Sequence, residues 1–153
     1  MVSEGERLPE DLTFIADDGS EINPAKINAK AIVLYFYPRA MTPGCTREAL
    51  RFNELLNEFD ECGVKVFGAS TDSPERNRRF KEKHGLRFTL LSDPEGRNAA
   101  RLGVLKKGTK RPSAQRVTLI IKDGIIVRIL RNIRPAEKHA DLSLEEIRKI
   151  LGC

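Results

Sequence analysis

The sequence predicts an α/β domain with a mixed central sheet flanked by helices. A continuous apolar run at residues 31–37 has the length and the β-branched and aromatic content of a buried strand, and VKVFGAS, residues 64–70, predicts the next strand. Segments with helical periodicity alternate with these runs, and a hairpin signal and one more amphipathic segment follow. Because 153 residues suffice for one compact core, we expect a single domain over residues 1–153.

The N-terminal half predicts three strand regions and two helices. The stretch LTFIADDGSEIN predicts two short strands around an Asp-Asp-Gly turn, and the strand at 31–37 stops at Pro38. Thr42 and Pro43 suit the cap and the first turn of a helix over about residues 44–61. This helix carries an apolar stripe of Ala49, Phe52, Leu55, Leu56 and Phe59. After the strand at 64–70, Ser73 and Pro74 begin a second helix, which ends at Gly85.

The C-terminal half predicts a short strand in FTLLSD and a short helix in GRNAARLGV. The segments QRVTLII and GIIVRIL predict a strand pair, because Lys122-Asp123-Gly124 between them is a strong turn signal. LSLEEIRKIL, residues 142–151, predicts the last helix.

Composition narrows the class of protein. Hydrophobic residues make up 40% and charged residues 32%, no apolar run approaches the roughly 20 residues of a membrane span, and we expect no membrane partner. The net charge is +5, with one dense basic cluster at Lys106, Lys107, Lys110 and Arg111. This cluster lacks interleaved aromatic residues, so we interpret it as a solvated surface rather than a nucleic-acid site. The start of the chain has no apolar signal segment, which favours a cytoplasmic location.

Cys45 is the candidate reactive residue. It lies at the predicted start of a helix, where free backbone N–H groups and the positive end of the helix dipole favour a thiolate. Thr42 lies one turn earlier, where its hydroxyl can donate a hydrogen bond to a substrate held at the sulfur. Nucleotide-binding glycine patterns are absent and the two histidines lie far apart in sequence, so we expect neither a metal nor another cofactor.

The pattern Pro38-x-x-x-Thr42-x-x-Cys45 resembles the active-site signature of the peroxiredoxins. YFYPRAMTPGCTREA is similar to the branch called PrxQ, or bacterioferritin comigratory protein, and the likeness continues through most of the chain to HADLSLEEI. The resemblance implies a thioredoxin-like fold and a thiol-dependent peroxidase. Such an enzyme reduces hydrogen peroxide and organic hydroperoxides through a sulfenic acid at Cys45. It also implies that Pro38 shields the thiolate and that Arg116 is a catalytic arginine.

Helical geometry independently predicts a partner for Arg116. At about 100° per residue, Cys45 and Glu48 fall on the side of the apolar stripe. Because an inward-facing glutamate is unfavourable unless it is paired, we expect a Glu48–Arg116 pair whose remaining donors hold Cys45 and the peroxide.

The thiol that resolves the sulfenic acid is left open. Many PrxQ members carry a resolving cysteine five residues after the reactive one, where this chain has Leu50. Cys62 lies too far along the predicted helix, so we interpret it as a small structural thiol. Cys153 is either an incidental terminal thiol or a resolving thiol, if the last helix runs back toward the active site. An external thiol, from a thioredoxin-like protein or a small molecule, is the third route.

Two other functions remain open from the residues alone. One is a thioredoxin-fold redox sensor or thiol–disulfide oxidoreductase, and the other is a basic binding module or holdase with an incidental cysteine. His139, just before the predicted last helix, is interpreted as a surface residue. For the quaternary structure we expect a monomer or a weak homodimer.

Overall fold

The computed structural model describes residues 1–153 and contains one seven-stranded mixed sheet of order β2-β1-β5-β4-β3-β6-β7. Strands β3, β4 and β5 are parallel, whereas β6 pairs antiparallel with β3 and β7 antiparallel with β6. The predicted fold class is therefore confirmed. The strands are β1 (Phe14–Ala16), β2 (Glu21–Ile22), β3 (Ala31–Phe36), β4 (Val64–Ser70), β5 (Thr89–Ser92), β6 (Val117–Lys122) and β7 (Ile125–Arg131).

Five α-helices flank this sheet: α1 (Pro43–Glu54), α2 (Leu56–Glu61), α3 (Pro74–His84), α4 (Arg97–Leu102) and α5 (Lys138–Leu151). The helix predicted over 44–61 is divided in two, because Leu55 leaves helical geometry at φ −91° and ψ 0°. Helix α5 begins at Lys138, earlier than the predicted start at Leu142. None of these helices is long and apolar enough to cross a lipid bilayer.

Strand β3 is buried on both faces, which explains its unbroken apolar sequence. Ala31, Val33 and Tyr35 face one core cluster, and the alternate residues face the other. The first cluster also contains the whole predicted stripe of α1 and α2, namely Ala49, Phe52, Leu55, Leu56 and Phe59. Burying each large side chain of that stripe stabilises the fold by roughly 1.5–3 kcal/mol.

Helix α5 lies beside α1 and α2 and runs in the same direction. Successive cross-links show this direction, because the residues on both sides increase in number together. They are Arg47 with Glu137 at 3.6 Å, Arg51 with Asp141 at 2.7 Å, Glu58 with Arg148 at 2.9 Å, and a Cys62–Cys153 disulfide with a Cα–Cα distance of 5.5 Å.

The structure contradicts one alternative left open by the sequence, in which the last helix brings Cys153 toward Cys45 as a resolving thiol. Because α5 runs parallel to α1 and α2, its C-terminus reaches the end of α2 instead, where Cys153 is bonded to Cys62. The interpretation of Cys62 and Cys153 as separate structural or incidental thiols is wrong for the same reason. Cys45 is the one free cysteine.

Candidate active site

Cys45 lies in the first turn of α1, directly behind Pro43 and Gly44. Its side chain is only 1% exposed. Thr42 takes the predicted cap position with extended backbone, but its hydroxyl caps no backbone N–H and donates instead to the Arg39 carbonyl oxygen at 2.8 Å. The Cys45 sulfur is therefore buried beside helix N–H groups that the Thr42 side chain does not cap.

Arg116 joins Cys45 to Glu48. Its Nη2 donates to Cys45 Sγ at 3.4 Å, and its Nη1 donates to Glu48 Oε1 at 2.5 Å. The residue directly precedes β6, whose first residue Val117 pairs with Phe36 at the end of β3. The sheet register thus places the guanidinium at the start of α1, and the pair predicted from helical geometry is present.

The burial of Glu48 governs its charge. Complete burial raises the pKa of Glu48 from 4.5 to about 8, and the positive charge and hydrogen bond of Arg116 only partly oppose this effect. Glu48 Oε2 has no hydrogen-bond partner, so no further donor stabilises the carboxylate. For Arg116, burial acts to lower the pKa of the guanidinium, but the charges of Glu48 and Cys45 raise it overall.

The segment before α1 turns sharply at Met41, whose φ of +66° is the left-handed backbone that non-glycine residues rarely adopt. Glycine is the usual signal for such a turn, so the sequence did not reveal it. Pro38 contributes to the walls of two adjoining clefts, and its carbonyl oxygen accepts a hydrogen bond from Ser113 at 3.1 Å. Pro38 thus lies at the border between these two clefts.

His139 lies near the site, although its position in the sequence predicts a surface residue. It is fully buried in the first turn of α5 rather than at the surface, and its Nδ1 lies 2.9 Å from Thr118 Oγ1. Burial, followed by the nearby charge of Arg116, lowers the pKa of His139 from 6.5 to about 4. A neutral imidazole thus packs behind the arginine. The early start of α5, which the sequence did not indicate, brings it there.

A cleft of about 530 Å³ leads to Arg116 and Gly44. A Cβ atom added to Gly44 would lie 3.3 Å from Arg116 Nη2, so glycine leaves room for the guanidinium at the base of the cleft. We call this space the cationic cleft, because its basic side chains are Arg47, Lys106, Arg116, Arg131 and Arg134 and no carboxylate lines it.

No second thiol accompanies Cys45, since the other two cysteines form the distant disulfide. Leu50, at the position of the usual resolving cysteine, is half-buried and packs against the larger core cluster. Part of its side chain is therefore accounted for by the fold.

Comparison with known proteins agrees with this geometry. Residues 5–129 match the AhpC/TSA family. Peroxiredoxin Bcp of Bacillus subtilis is 38% identical over 142 residues, covering 90% of each chain. Chloroplastic peroxiredoxin Q of Populus jackii is 32% identical over 144 residues, covering 94% of this chain and 68% of that protein. The crystal structure of peroxidoxin BcpB from Mycobacterium tuberculosis superposes with a TM-score of 0.92 and 31% identity, covering 98% of this chain and 99% of that one.

Proposed function

We propose a catalytic cycle for this chain, which belongs to the AhpC/TSA family and is a thiol-dependent peroxidase. The Cys45 thiolate attacks one peroxide oxygen, so that an S–O bond forms as the O–O bond breaks. The released oxygen takes a proton and leaves as water or an alcohol, and Cys45 becomes a sulfenic acid. One thiol then condenses with it to a mixed disulfide and water, and a second thiol regenerates Cys45 and releases the oxidised reductant.

The observation that carries this cycle is the contact between Arg116 Nη2 and Cys45 Sγ at 3.4 Å. The guanidinium donates a hydrogen bond to the sulfur, and it is placed to stabilise charge that develops on the departing oxygen. Glu48 orients the arginine from the core side. From the family likeness, Thr42 donates a hydrogen bond to the peroxide and Pro38 shields the sulfur from water.

An external thiol completes the cycle. Leu50 stands where a nearby resolving thiol would be, and Cys62 and Cys153 are bonded to each other at the far end of α2 and α5. The reductant is then a thioredoxin-like protein or a small thiol. The two rival functions receive no comparable support, because a thiol–disulfide oxidoreductase would need a second thiol where Thr42 stands, and a holdase would not need the Arg116 contact.

The surface supports a monomer or a weak homodimer, since Met1 is the one exposed large hydrophobic residue. The same polar surface supports a chain that works in the cytoplasm and associates with neither membranes nor nucleic acid.

The deciding experiment follows peroxide consumption in the presence of a thiol reductant. Purified wild-type protein should consume peroxide, and Cys45→Ser should not, although its circular dichroism spectrum is that of a folded protein. A Cys62→Ser, Cys153→Ser double variant is the matched control and should remain active. Substantial activity in folded Cys45→Ser would overturn the assignment.

A further inference from the structure

The cationic cleft holds three basic side chains that nothing neutralises. Arg116 is paired with Glu48 and Arg47 lies 3.6 Å from Glu137, whereas Lys106, Arg131 and Arg134 have no carboxylate within 4 Å. The side-chain partner of Arg131 is the neutral thioether of Met1. The sequence predicts a solvated basic surface at Lys106. In the structure, Lys106 instead forms part of the wall of a concave site.

The fold assembles these charges from separate segments. Arg131 ends β7 and lies opposite Val117, beside Arg116. Lys106 is held by the hydrogen bond from its backbone N–H to the Ser113 carbonyl oxygen at 2.8 Å. Arg134 lies in the connection from β7 to α5. Three unneutralised cations on converging segments repel one another, so an anion between them would be stabilised.

We propose that the cationic cleft binds the carboxylate or phosphate of a small co-substrate of the peroxidase cycle, and that Lys106, Arg131 and Arg134 determine this specificity. The proposal rests on the proposed function, because it names the substrate class of the same site. About 530 Å³ accommodates a small molecule rather than a protein segment. Arginine suits carboxylate and phosphate oxygens, because its planar group donates two parallel hydrogen bonds.

The anionic group can belong to the hydroperoxide or to the reducing thiol, and two kinetic arms distinguish these sources. The first arm measures rate constants for oxidation of Cys45 by cumene hydroperoxide and by its para-carboxylate. The second arm measures reduction of the sulfenic acid by 2-mercaptoethanol and by 3-mercaptopropionate. In each arm the quantity compared is the anionic-to-neutral rate ratio, because the intrinsic reactivity of each reagent then cancels between protein variants.

The cleft variant carries Lys106→Gln, Arg131→Gln and Arg134→Gln. Its matched control carries Lys26→Gln, Lys65→Gln and Arg79→Gln, which remove the same charge from exposed residues outside the cleft. We expect the cleft variant to lower the ratio on the order of tenfold in one arm, and the control to keep it. Raising the ionic strength from about 0.02 M to about 0.5 M should lower the wild-type ratio. The arm that responds identifies the co-substrate.

A binding measurement separates this proposal from the proposed function. Cys45→Ser protein is titrated with 4-isopropylbenzoate and, separately, with 3-mercaptopropionate. The amide resonances of Gly44 and Asn132 should shift with at least one of them, except in the background of the cleft variant. Loss of all peroxide turnover would overturn the proposed function while this titration still tests the anion site. Equal ratios for wild type, cleft variant and control in both arms, or no shift on titration, would overturn the anion proposal.

Discussion

Arg116 Nη2 lies 3.4 Å from Cys45 Sγ, although the two residues are 71 positions apart in the chain. The second half of the guanidinium is fixed by Glu48, one helical turn beyond Cys45 on α1. Helix α1 therefore supplies both the sulfur and the anchor of the guanidinium that contacts it. This arrangement ties the Arg116–Cys45 contact to the winding of α1.

Arg116→Ala should slow the reaction of Cys45 with peroxide. Removing one donor that stabilises developing charge typically costs about 2–4 kcal/mol, or two to three decades in rate. Stopped-flow measurement of the peroxide step checks this, with Arg148→Ala as the control, because Arg148 forms an ion pair with Glu58 on the surface. An unchanged rate constant for Arg116→Ala would remove this residue from the site.

Peroxide without reductant should leave oxygen on Cys45 rather than create a new disulfide. With no thiol beside it, the sulfenic acid persists, and excess peroxide should convert it to sulfinic acid. After one equivalent of peroxide, the intact mass should show one added oxygen, and a sulfenate reagent should trap this species. After excess peroxide, the mass should show two added oxygens. The Cys62→Ser, Cys153→Ser variant should show the same added masses as wild type. A rapid disulfide that includes Cys45 would contradict the one-cysteine cycle.

Glu48 should make the folded protein less stable as pH rises from about 4.5 to about 8. The raised pKa means that folded Glu48 keeps a proton that the unfolded chain has released, so its stabilising effect is complete below pH 4.5 and is lost toward pH 8. Urea unfolding across this range should show that the free energy of unfolding of Glu48→Gln increases relative to that of wild type as pH rises. Glu58→Gln, at an ion pair on the surface, is the control. If the free energies of unfolding of wild type and Glu48→Gln change with pH in parallel, the pKa of Glu48 is not raised.

His139 should act in the opposite direction at lower pH. Its pKa is lowered to about 4, so the folded state excludes a proton that the unfolded chain binds below pH 6.5. The stability that neutral His139 contributes is present above pH 6.5 and is lost as pH falls toward 4. In unfolding experiments, the free energy of unfolding of His139→Asn should fall less between pH 6.5 and pH 4 than that of wild type. The control variant His84→Asn should show the same fall as wild type. Equal slopes in wild type and His139→Asn would exclude His139 as the cause.

The Cys62–Cys153 disulfide should stabilise the fold, because it joins residues 91 positions apart. Closing a loop of this length lowers the entropy of the unfolded chain by an amount worth about 4.6 kcal/mol. Cys153→Ser should therefore unfold at lower temperature and lower urea concentration than wild type. The difference should disappear when both proteins are measured with excess dithiothreitol. Identical unfolding under oxidising conditions would show that the bond contributes nothing.

Local patterns and helical geometry predicted the centre of the site but not its periphery. Glu48 was placed by counting turns from Cys45, and a short-range rule of this kind holds inside any regular helix. The disulfide depends on the direction in which α5 packs, which no local pattern encodes. His139 was missed because the start of α5 was placed too late, and helix boundaries are weakly marked when no capping residue is present.

The burial of Cys45 divides the cycle into two steps with different steric demands. Cys45 is only 1% exposed, and its contact Arg116 lines the cationic cleft. We therefore expect small peroxides to reach the sulfur more readily than a bulkier thiol, which would need the first turn of α1 to open. The ion pairs and the disulfide join the rest of α1 and α2 to α5, so we expect any such opening to be confined to the first turn. We expect turnover to reach a plateau set by this opening, so that at high reductant concentration different thiols share one maximal rate. Plateaus that scale with thiol reactivity would show that the helix imposes no such limit.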